Sequence, residues 1–146
     1  MPEKRPFGVT LLLWMVLIVS VWGAVRFLAA LRWWDLLHEF ETSLSPLYLS
    51  MTGAGWGVAG GVLLSGILRR KKWAPPAVLA SILIWLIEYW MERIFFQSAR
   101  ANLPFALTCS ILVIAFTWIL AILPGTTSFF ARSEEHEQPF EKPNTA

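Results

Sequence analysis

The apolar positions of this chain do not recur with an amphipathic period. They gather into four long blocks separated by short polar or proline-marked stretches. The blocks run from about Phe7 to Leu31, Leu47 to Leu68, Pro75 to Phe96 and Pro104 to Leu123. Each is close to the length of about 20 residues that carries an α-helix across a hydrocarbon core. The pattern predicts an all-α integral membrane protein, a bundle of four transmembrane helices over residues 7–124. Residues 1–6 are expected to be a cytoplasmic N-terminal segment, and residues 125–146 a polar cytoplasmic tail. Prolines sharpen the edges. Pro6, Pro46, Pro75 with Pro76, and Pro104 stand at the starts of the blocks, and Pro124 at the end of the last. Proline suits a first helical turn, where its missing N–H would have had no partner.

The connections differ in kind. Arg69 to Trp73 is a short basic turn, which predicts that the second and third spans are antiparallel neighbours. From Leu31 to Ser45, Trp33, Leu36, Leu37, Phe40 and Leu44 fall on one helical face, with Arg32, Asp35, His38, Glu39 and Thr42 on the other. That period predicts an amphipathic helix lying on the outer membrane surface or capping the bundle. The tail, with "SEEHEQ" and two prolines, is predicted to be disordered.

Composition agrees with the membrane class: 56% of residues are hydrophobic and 15% charged, against about 25% charged in a soluble domain. With the N-terminus inside, 8 Lys and Arg fall on the cytoplasmic side and 4 on the other. The positive-inside bias therefore predicts that both termini are cytoplasmic, in a cell-membrane protein. The formal charge of +2 is too small and dispersed for nucleic acid. Its one dense cluster, Arg69, Arg70, Lys71 and Lys72, abuts an apolar block. It is expected to contact anionic lipid head groups.

The second span contains "GAGWGVAGGVLLSG", in which Gly53, Gly57, Gly61 and Ser65 recur every four residues. Small residues so spaced let two helix backbones approach closely. The stripe predicts packing against another span, or the seam of a homodimer, or backbone room for a ligand.

The third span raises a sharper question. "LIWLIEYWMERIFF" sets Glu88, Glu92 and Arg93 in an otherwise apolar run, where a mid-membrane charge costs at least ~2.5–3.5 kcal/mol on insertion scales. Glu88 and Glu92 are four apart and share a face. Arg93 lies about 100° round from Glu92 and about 140° from Glu88. It is expected to snorkel or to stack on Tyr89. At ~1.5 Å per residue, Glu88 and Glu92 lie roughly 18 and 24 Å from Pro76, and Arg26 roughly 28 Å from Phe7. The second and fourth spans bring Ser50, Thr52, Thr108 and Ser110 to the same depth. The expectation is a polar layer in the outer half, with an Arg26–Glu92 ion pair. Glu88, set deeper, is expected protonated or bonded to a hydroxyl. Such a layer could clasp the helices in register, line an outward-facing proton-linked pocket, or meet a partner subunit.

Other chemistry has no residues to carry it. The two histidines, His38 and His136, lie outside the spans, which excludes bis-His haem within the bundle. Cys109 is the only cysteine, so there is no thiol pair for redox work. No Ser–His arrangement for proteolysis can form in the spans, and no metal or cofactor is expected. The leading expectation is a non-catalytic accessory, scaffold or oligomer-forming subunit of a homodimer or larger membrane complex. The alternative is a small-molecule or proton-linked binder or transporter using Glu88 and Glu92.

Overall fold

The computed structural model of the protein describes residues 5–39, 45–96 and 102–131. These form six helices: α1 (Phe7–Arg32), α2 (Trp34–Glu39), α3 (Pro46–Leu68), α4 (Ala74–Phe95), α5 (Leu103–Ile122) and α6 (Pro124–Ala131). Four of them, α1, α3, α4 and α5, are long and apolar enough to cross a membrane. Their limits fall within a residue of those predicted from the blocks. Proline stands in the first turn of α3, α4 and α5.

The bundle is built from two helix pairs, α1 with α3 and α4 with α5, the first far more intimate. Its period explains the intimacy. In α1, Val9, Val16, Gly23 and Ala30 are buried at intervals of seven. In α3, Pro46, Gly53, Gly60 and Ile67 repeat the interval. A heptad stripe drifts only about −20° per repeat, so two such stripes can follow one another along their length. At Gly23 and Gly53 the two backbones themselves come together, with Trp56 Cβ beside Gly23. A β-carbon placed on Gly53 would stand 2.6 Å from the backbone nitrogen of Phe27 and 2.8 Å from the carbonyl oxygen of Gly23. On Gly60 it would meet the side chain of Ser20 at 2.4 Å.

The predicted four-residue stripe is therefore corrected. Gly53 lies in the seam, but β-carbons at Gly57 and Gly61 would meet nothing within 4 Å, and Ser65 is exposed. Each step of four residues turns a helix by about 40°, so the stripe has rotated by about 120° between Gly53 and Ser65. It starts in the helix contact and leaves it.

The apolar core occupies one half of the bundle. Val9, Leu12 and Val16 of α1, Leu63 and Ile67 of α3, and Ala74, Val78, Ile82 and Leu86 of α4 pack there with Leu120 and Phe130. Phe130 belongs to α6, which corrects the second expectation. Residues 125–131 of the predicted disordered tail are helical, and residues 132–146 lie outside the described residues. Pro124 ends α5 and serves as the first residue of α6. Thr126 and Phe130, four apart, bury one face of this short helix against the bundle.

The connection after α1 is helical over α2 only, with a turn at Trp33. Trp33 and Leu36 are exposed and Leu37 is half-buried, while residues 40–44, including Phe40 and Leu44, lie outside the described residues. Between α3 and α4 the chain reverses in a Schellman arrangement. The Lys71 amide donates to Gly66 O and the Arg70 amide to Ile67 O. Arg70 holds the left-handed position at φ 54°.

Candidate functional site

At the other end of the bundle the two helix pairs separate. Trp85, Glu88, Tyr89 and Glu92 fall at i, i+3, i+4 and i+7 of α4, a face distinct from the row Ala74, Val78, Ile82 and Leu86 that enters the core. Across from it, Trp14, Ile18, Trp22, Val25 and Arg26 form one stripe of α1. The two faces barely touch. They flank a groove of about 1080 Å³ with Leu49 of α3 beside them. The groove is aromatic and aliphatic along its length and charged at one end.

That end is a four-residue network. The Arg26 guanidinium donates through Nη2 to Glu92 Oε1 and through Nη1 to Glu88 Oε1, the latter at 3.4 Å. The other oxygen of Glu88 accepts a hydrogen bond from the indole Nε1 of Trp56 on α3. Side-chain exposures are 16% for Arg26 and Glu88 and 18% for Glu92, so all three charges are largely withdrawn from the surface. The Tyr48 ring of α3 lies 5.9 Å from the Arg26 guanidinium carbon. One guanidinium thus serves two carboxylates, and the Trp56 indole on α3 supplies a further donor to Glu88.

Arg26, Glu88 and Glu92 are brought together as the spacing suggested. Trp56, rather than a hydroxyl, partners Glu88. A signal for it exists in the sequence: an indole N–H in mid-span must find an acceptor, and Glu88 lies at the same depth. Arg93 turns away from the groove floor. It donates from Nη1 to the Tyr89 hydroxyl at 3.0 Å, and its guanidinium carbon lies 6.0 Å from each of the Tyr89 and Trp90 rings.

The expected hydroxyl members do not join. Thr52 Oγ1 donates to Tyr48 O at 2.9 Å, and Thr108 Oγ1 to Pro104 O at 2.9 Å on an exposed face. Ser50 donates to Leu47 O. Ser110 is buried at the α4–α5 contact, donating to Ala106 O and accepting from Trp90 Nε1 at 3.2 Å. A threonine or serine in a helix can satisfy its hydroxyl on the preceding turn, so depth alone does not draw it into a polar layer.

At the basic turn, Arg69 and Lys72 are exposed while Arg70 and Lys71 are half-buried. The Arg70 guanidinium carbon sits 4.5 Å from the Phe129 ring centre, which ties the turn to α6.

Comparison of the chain with known families, with curated proteins and with solved structures finds no match.

Proposed function

We propose that this chain is a non-catalytic binding protein of the cell membrane, holding an amphipathic small molecule in the groove between α1 and α4. The carrying observation is the groove itself: about 1080 Å³, walled by Trp14, Trp22 and Trp85 and ending on Arg26, Glu88 and Glu92. Small-molecule sites are mostly apolar clefts with a few placed polar groups that fix orientation. Tryptophan concentrates at membrane interfaces, yet Trp14 lies only seven residues into a 26-residue helix, where anchoring does not account for it. In the proposed topology both termini are cytoplasmic, α2 lies on the outer side, and the groove opens sideways into the outer leaflet. Arg69 and Lys72 then face anionic head groups at the inner surface.

Native mass spectrometry of protein extracted gently from its own membrane tests the reading. A reproducible small-molecule or lipid adduct is expected, and it should be lost in Trp22→Ala. A chain that emerges with a second polypeptide, its groove resistant to labelling at residue 22, would instead make this face a subunit contact.

One observation favours a subunit contact on a different face, that of α3. Gly61 and Ser65 are exposed on α3, and β-carbons at Gly57 and Gly61 would meet nothing within 4 Å. Such a strip suits a helix from another subunit or a second copy of this chain.

A further inference from the structure

We infer that the groove's occupant carries a cationic head, an ammonium on a single apolar tail; this rests on the groove reading above. The argument begins with charge. Among the described residues, the salt bridges to the two carboxylates both come from Arg26, so the cluster of Arg26, Glu88 and Glu92 carries one formal negative charge in excess. Among the described residues no other cation forms a salt bridge with either carboxylate: α3 contributes the Tyr48 phenol and the Trp56 indole, and the Arg93 guanidinium of α4 donates to the Tyr89 hydroxyl. The hydrogen bonds from Arg26 and Trp56 satisfy the carboxylate oxygens but leave this net charge unneutralised, and a counter-charge in low dielectric stabilises it further. The walls suit a cation as well. Trp22, Trp85 and Tyr89 border the charged end, and Trp85 stacks on Tyr89 with ring centres 6.3 Å apart. Aromatic faces attract ammonium groups, and more strongly away from water.

Depth selects between sources of ammonium. Glu88 stands seven residues before Phe95, the last residue of α4, about 10 Å along the axis from that end. The head group of a two-chain phospholipid is held in the interfacial layer, above the hydrocarbon. A single-chain amine can slide in to the depth of Glu88, with its tail along Trp22 and Trp14.

The test uses the full-length protein in non-ionic detergent micelles and native mass spectrometry. It compares three probes of one chain length: dodecylammonium, dodecanol and dodecyl phosphate. Dodecylammonium is expected to bind tightest. In the double variant Glu88→Gln/Glu92→Gln, which leaves Arg26 as a lone positive charge, dodecylammonium affinity is expected to fall roughly tenfold to a hundredfold. Dodecyl phosphate should then become the preferred probe. Unchanged dodecanol binding certifies that the double variant is folded. If all three bind wild type equally and are weakened together by Trp22→Ala, the groove reading stands and the cationic inference fails. If none binds above the level of an unrelated membrane protein, both fail. A co-purifying phospholipid that dodecylammonium does not displace would overturn the single-chain amine.

Discussion

Gly23 and Gly53 face each other backbone to backbone: a β-carbon on Gly23 would lie 2.9 Å from the Gly53 carbonyl oxygen and 2.6 Å from Trp56 Cβ. Backbone cannot swing aside as a flexible side chain can. Gly23→Ala and Gly53→Ala should each force α1 and α3 apart, at about 1–3 kcal/mol of overpacking. Gly57→Ala and Gly61→Ala carry the same chemistry into open space, and should change stability by less than about 0.5 kcal/mol if α3 has no further partner. Thermal melts of the four variants in one detergent separate the two classes. A loss at Gly61 equal to that at Gly53 would mean that the strip is covered in the assembled protein.

The contrast shows what the sequence made legible. Helix number, limits and order follow from the length of the apolar blocks and the prolines that bound them, because hydrocarbon thickness sets helix length directly. Which glycines touch a neighbour depends on a drift of 40° against one of −20°. That difference is visible only once the partner's own period, Val9, Val16, Gly23 and Ala30, is read beside it. The carboxylates' partner was legible because long side chains at matching depth have few alternatives. The threonines misled because a short hydroxyl can close on its own helix. Helix α6 was obscured by the charged residues that follow it, although Phe129 and Phe130 mark an apolar edge.

The Arg26 network should respond unequally to single and combined changes. Arg26→Met leaves two carboxylates, each more than four-fifths buried, without their guanidinium. Removing one partner of a buried charge set costs about 3–5 kcal/mol. The triple variant Arg26→Met/Glu88→Gln/Glu92→Gln removes the charges together and should regain most of that loss. Chemical denaturation in micelles measures both. A triple variant no more stable than Arg26→Met would show that packing of the arginine stem, rather than its charge, holds the helices.

Trp56 ties α3 to the same network through one indole donor. Trp56→Phe keeps an aromatic ring and deletes the bond to Glu88. Hydrogen bonds to charged groups contribute about 1.5–3 kcal/mol, and those between membrane helices average nearer 0.6. A loss of about 1 kcal/mol is expected, and it should vanish when Trp56→Phe is made in a Glu88→Gln background. Losses that simply add would mean that the two side chains do not share a bond.

Arg70 occupies a position where glycine is usual, and its φ of 54° costs a non-glycine residue about 1–2 kcal/mol. Its guanidinium recovers part of this on the Phe129 ring, 4.5 Å away, a contact of about 0.5–1 kcal/mol at an exposed site. Arg70→Gly relieves the backbone and forfeits the ring, so stability should stay within about 1 kcal/mol of wild type. Arg70→Ala keeps the strain and loses the contact, and should be the less stable of the two. Phe129→Ala separates the terms. Once the ring is gone, Arg70→Gly should cost less than it does in wild type, because the contact with Phe129 is already lost. Melts of these single and double variants decide it, and an Arg70→Gly variant as unstable as Arg70→Ala would show that the backbone at Arg70 carries no appreciable strain.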